Sequence, residues 1–171
     1  MASPGEIFLN PGDFCFTSEE TRLRTLLGSC VSITMWHAGR RLGGMCHYMN
    51  PTRGHPSENE ELDGRYADEA MRMFLRELSR CGTWPQEYEV KMFGGGNQFP
   101  DAPTPPALDV SRGNVAAGLR LLREHGFSLT TVHLGGTGYR RLEFDVPTGA
   151  VQLIHVHQAD SAHQADAAGR P

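Results

Sequence analysis

Cys30 and His47 stand in two runs that read as the arms of one hairpin. Val31-Ser32-Ile33-Thr34-Met35-Trp36 alternates apolar and small polar residues, the pattern of a half-buried strand. Arg41 to Met49 reads as the return strand, ended by Asn50-Pro51. With Ala38-Gly39 as a two-residue loop, His37 pairs with Arg40, and stepping outward brings Cys30 directly opposite His47. Opposed residues on antiparallel strands share a face, with Cβ atoms about 4.5–5.5 Å apart. A thiol and an imidazole at that separation can hydrogen-bond. A bulge at Gly43-Gly44 would shift the register by one residue and part them.

The pair suggests nucleophilic chemistry. A free thiol, with a pKa of about 8.5, is only a few per cent thiolate at neutral pH. An imidazolium beside it stabilises the thiolate and later protonates a departing amine. Gly28 and Ser29, just before the cysteine, let backbone amides point at a substrate oxygen, as an oxyanion hole requires. Pairing alone leaves two readings open: a catalytic dyad, or a buried cysteine beside a hydrogen-bonded core histidine. Cys15, Cys46 and Cys81 complete the set of thiols; no CxxC pair occurs and the spacings match no zinc template. Cys15 and Cys81 read as small buried hydrophobes. Cys46 faces the opposite side of its strand from His47, into the core.

Residues 1–20 read as one or two short strands. The best helix begins near Arg65: Ala67, Ala70, Met71, Phe74, Leu75 and Leu78 form one stripe, and Gly82 takes a C′ position. Glu87 to Phe93 reads as a strand entering Gly94-Gly95-Gly96. That run is a tight turn rather than a phosphate loop, since no GxxxxGK[ST] accompanies it. A Pro-rich excursion over 97–108 precedes a second helix over about 113–125, with Val115, Leu119 and Leu122 inside. Phe127 to Leu134 is a strand, Gly135-Gly136-Thr137-Gly138 a turn, and Arg141 to Val146 with Ala150 to Val156 a hairpin about Pro147-Thr148-Gly149. His155 and His157 lack a matching third metal ligand and read as surface histidines. The order excludes a regular alternating βαβ fold and predicts an α+β domain, a mixed sheet structure with two helices packed on it.

The 171 residues suit one domain. A net charge of −4 argues against a nucleic-acid binder driven by phosphate neutralisation. No run approaches the roughly 20 apolar residues of a membrane span, and the first residues lack the regions of a signal peptide. No membrane insertion is expected, and the expected compartment is the cytoplasm. Residues 1–157 should form the domain, and the Ala-, Gln-, Asp- and His-rich residues 158–171 a disordered tail.

A series of collinear blocks resembles the CheD family of chemoreceptor glutamine deamidases. They are Thr25-Leu26-Leu27-Gly28-Ser29-Cys30-Val31, Gly43-Gly44-Met45-Cys46-His47-Tyr48-Met49-Asn50-Pro51, Arg65-Tyr66-Ala67-Asp68-Glu69-Ala70-Met71, Lys91-Met92-Phe93-Gly94-Gly95-Gly96, Arg112-Gly113-Asn114 and Leu134-Gly135-Gly136-Thr137-Gly138-Tyr139-Arg140. The resemblance implies that Cys30 is the nucleophile, His47 its acid/base partner and Thr25 the residue that orients the histidine. It implies two mixed β-sheets packed together with helices outside, as in the cysteine hydrolases that include deamidating toxins, and no cofactor. The implied reaction hydrolyses glutamine carboxamides on the cytoplasmic helical region of methyl-accepting receptors, through a thioester. A CheC-type phosphatase is an implied partner. The alternative is a non-catalytic docking module that binds the receptors or that phosphatase. Cys46, Asn50 and His133 depart from the family pattern, and none removes a catalytic group.

Overall fold

The computed structural model describes residues 5–157, so the tail expected over 158–171 lies outside the described residues. Short apolar runs on either side of Pro11-Gly12 form β1 (Gly5–Phe8) and β2 (Phe14–Thr17). The next run, Thr-Arg-Leu-Arg-Thr-Leu-Leu, alternates side chains for an interior with side chains for water. It forms β3 (Thr21–Leu27), with Thr21, Leu23, Thr25 and Leu27 buried. The sequence reading passes over this strand. The hairpin arms are β4 (Val31–His37) and β5 (Leu42–Cys46), followed by α1 (Ala67–Cys81), which Gly82 ends in the left-handed conformation. Then come β6 (Glu89–Gly94), α2 (Val110–Glu124), β7 (Leu129–Leu134), β8 (Tyr139–Asp145) and β9 (Val151–Val156). Among the described residues no helix is long and apolar enough to cross a membrane.

The strands make two mixed sheets, ordered β1-β3-β8-β9 and β2-β5-β4-β6-β7. Parallel β6 and β7 require a crossover, and α2 supplies it. One apolar cluster lies between the sheets, with Leu23 and Leu27 of β3, Met45 of β5, Phe93 of β6, and Leu142 and Phe144 of β8. A second lies between the five-stranded sheet and both helices, with Val31, Ile33 and Met35 against Met71, Phe74 and Leu122. The architecture is therefore α+β, sheet on sheet with the helices outside.

Two expectations need correction. The β4–β5 loop holds four residues, Ala38 to Arg41, because His37 pairs with Leu42; Arg41 closes it at φ 51°. The register therefore slips by two residues. Ser32, not Cys30, faces His47, and Cys30 becomes the diagonal neighbour on the same face. A slip of two preserves the face where a slip of one would have destroyed it. The ladder runs through Gly43 and Gly44 without a bulge.

The second correction concerns α2. It starts at Val110, where Asp109 caps it by accepting from the Arg112 amide at 3.2 Å. Its buried face is Ser111, Asn114, Ala117, Gly118, Leu121 and Leu122, while Leu119 is exposed. Over its first turns, from Ser111 to Gly118, small residues turn inward because the helix lies close on β4 and Tyr48 there, while Leu121 and Leu122 fill the core at its far end. A Cβ on Gly118 would overlap the Tyr48 hydroxyl and Met92.

Candidate active site

Thr25 reaches His47 from the other sheet. The Thr25 hydroxyl lies 2.7 Å from His47 Nδ1 and 2.7 Å from the Leu9 carbonyl. A carbonyl can only accept, and a hydroxyl has one hydrogen, so Thr25 donates to Leu9 and accepts from His47 Nδ1–H. The tautomer follows: Nε2 carries the lone pair. That nitrogen is buried and has no hydrogen-bond partner among the described residues. Burial holds the imidazole down to about 4, opposed by the Leu9 carbonyl and Asp13. His47 is therefore a neutral base at pH 7.

Cys30 precedes β4, half-buried against the inter-sheet cluster. Burial raises its thiol above the ordinary range, and a hydrogen bond from the Ser29 side chain offsets part of that rise. The resting pair is thus a thiol and a neutral imidazole, not the thiolate–imidazolium pair anticipated from sequence. They share a face on neighbouring strands, but no hydrogen bond joins them at rest. Cys46 points to the helices, and full burial pushes its thiol up to about 12. Cys15 and Cys81 are half-buried rather than buried.

The turn carrying Cys30 is gripped by its carbonyls. Gly28 O accepts from the Gly96 amide at 2.9 Å, Cys30 O from the Gly95 amide at 2.9 Å, and Ser29 O from Asn114 Nδ2 at 3.2 Å. No peptide among the described residues is cis, so each N–H points away from the carbonyl before it. The amides of Ser29 and Cys30 therefore point away from Gly96 and Asn114, and among the described residues they donate to no protein acceptor. These are suitable oxyanion donors.

The triple glycine is the rear wall of this turn, not a phosphate loop. A Cβ on Gly94, at φ 114°, would overlap the Cys30 carbonyl, and one on Gly96 would lie 2.8 Å from the Gly138 carbonyl. Gly94→Ala should therefore lower stability by about 3 kcal/mol or more, read as a fall in the urea midpoint, since strain and a backbone clash combine. Beside Ser29 a half-open groove of about 320 Å³ runs along the Pro-rich segment, lined by Gln98, Phe99, Leu108 and Val110.

Asn114 belongs to the Arg112-Gly113-Asn114 block of the family resemblance, but the sequence assigned it no role. It is wholly buried on α2, and its Nδ2 also donates to the Met49 carbonyl at 2.8 Å. The available signal was a polar residue on the inward stripe of small residues. His155, read as a surface histidine, is partly buried and donates from Nε2 to the Thr137 carbonyl at 2.7 Å.

Comparison with known proteins points one way. A family model described as "CheD chemotactic sensory transduction" matches residues 49–155. The chain is 48% identical over 156 residues to "Probable chemoreceptor glutamine deamidase CheD 3" of Dechloromonas aromatica, covering 91% of each chain. It is 49% identical over 151 residues to "Probable chemoreceptor glutamine deamidase CheD" of Pseudomonas savastanoi pv. phaseolicola, covering 88% of this chain and 84% of that one. A more distant relative, "Probable chemoreceptor glutamine deamidase CheD 1" of Leptospira interrogans, is 31% identical over 156 residues.

Proposed function

This chain belongs to the CheD family, and from that premise we infer that it hydrolyses the side-chain amide of chemoreceptor glutamines to glutamate, with Cys30 as nucleophile. The observation that carries the mechanism is the Thr25–His47 contact, which leaves the lone pair of Nε2 on the Cys30 side of the sheet. Nε2 takes the thiol proton as Sγ bonds to the carboxamide carbon. Charge collects on the carboxamide oxygen, towards which the Ser29 and Cys30 amides donate. The imidazolium returns its proton to the leaving nitrogen, ammonia departs, and a thioester remains. Water, deprotonated by the same Nε2, attacks the thioester, and Cys30 leaves as thiol beside a new glutamate. A neutral resting pair suits this cycle, because His47 must be unprotonated to begin each half.

The helical, methylatable part of receptors lies in the cytoplasm, and the activity belongs there. Support for a CheC-type phosphatase as a second partner comes from the family resemblance alone. Incubating the protein with receptor cytoplasmic fragments and mapping peptides by mass spectrometry tests the reading. Conversion of particular glutamines to glutamate supports it; intact glutamines throughout would overturn it.

Thr25→Val should lower kcat at least about 10-fold while moving KM little, because Nδ1–H loses its acceptor and the ring its orientation. Thr25→Ser should restore most of the rate. Equal loss in both variants would remove Thr25 from this role.

A further inference from the structure

Beyond these residues, we propose that Asn114 is the positioning residue that sets the spacing between Cys30 and His47 and the direction of the Cys30 amide. The backbone ladder joining β4 to the strand of His47 ends at a single pair. Val31 N donates to Tyr48 O at 3.1 Å and Tyr48 N to Val31 O at 3.0 Å. Two steps further out, where Ser29 would face Asn50, the next rung is missing. Ser29 O is taken by Asn114 Nδ2, and the Asn50 amide turns to the Arg65 carbonyl at 3.0 Å. The strands therefore part just beyond the nucleophile.

Asn114 bridges that gap. Its Nδ2 carries two hydrogens, and they reach one carbonyl on each side, Ser29 O at 3.2 Å and Met49 O at 2.8 Å. The first residue precedes Cys30 and the second follows His47 by two. The Tyr48 hydroxyl adds a third tie, donating to the Asn114 backbone carbonyl at 2.6 Å. One helical turn thus grips both catalytic segments, and Gly118 lets the helix come close enough to do so. Holding the Ser29 carbonyl also fixes the following peptide plane, and with it the Cys30 N–H on the opposite side. Asparagine is required: two donors on one nitrogen span two carbonyls, and neither an aspartate nor a single hydroxyl can.

The inference rests on the deamidase reading for its kinetics, so its test has a readout that does not. Asn114→Ala and Asn114→Ser, the second small enough to fit and carrying one donor, should each lower kcat for receptor deamidation about 10- to 100-fold, with KM within about threefold, as expected for catalytic groups displaced by about an ångström. Independently of any substrate, the pH profile of Cys30 alkylation by iodoacetamide in folded Asn114 variants should move towards that of His47→Ala. An alkylation profile unchanged from wild type, with kcat falling only in step with the folded fraction, would overturn the proposal. If wild type converts no glutamine, the functional reading fails, and the alkylation profile alone decides the role of Asn114.

Discussion

Cys30→Ala should abolish measurable conversion of receptor glutamines, a loss of at least about 10³-fold, while the variant still captures receptor fragments at near wild-type affinity. Cys46 cannot replace it, because it points to the helices and burial pushes its thiol up to about 12, and Cys81 lies at the end of α1. The substitution removes one sulfur from a half-buried position at the end of a strand, and the turn around it is held by carbonyls rather than by the side chain. The fold should therefore persist. Binding draws on a surface much larger than one atom. Titrating labelled receptor fragments against both proteins, alongside the conversion assay, separates the two effects. Unchanged conversion would dismiss Cys30 as nucleophile.

His47→Ala should lower kcat by about 10²- to 10⁴-fold, the range for losing a positioned general base. The same substitution has a signature in stability. The folded imidazole is held down to about 4 against an ordinary 6.5, so between those values the unfolded chain binds the extra proton. Stability therefore falls as pH drops through that window, and this group contributes nothing further below it. From pH 7 to pH 5 its share is about 2 kcal/mol. Urea unfolding at the two pH values should show wild type losing that much more than His47→Ala. Equal losses would mean that the buried imidazole is not held neutral.

What sequence could reach depended on the kind of pattern. The α1 stripe and the Gly82 stop follow helical periodicity and a single left-handed residue, and the structure has both. Faces proved more legible than register. Alternation placed Cys30 and His47 on one side, but only backbone conformation decides whether a turn holds two residues or four, and Arg41 in the left-handed region decided it. Thr25 was reachable by resemblance alone, although the strand carrying it shows clean alternation. Its contact with His47 joins two sheets, and no local pattern reports that. On the inward face of α2, Leu122 and Val115 pack on the core as expected, but Leu119 does not, because hydrophobicity favours Leu119 whereas close approach favours Gly118 and Asn114. The neutral state of the Cys30–His47 pair is a property of burial, which the residue types do not carry.

The central claim is that the Cys30 thiol carries the deamidation. Partial alkylation with iodoacetamide measures it most directly, with peptide mapping of each cysteine and conversion of receptor glutamines assayed on the same samples. The remaining activity should equal the fraction of unmodified Cys30 at every point, whatever the modification of Cys15 and Cys81. Activity persisting in protein whose Cys30 is fully alkylated, or tracking another cysteine, would contradict the account.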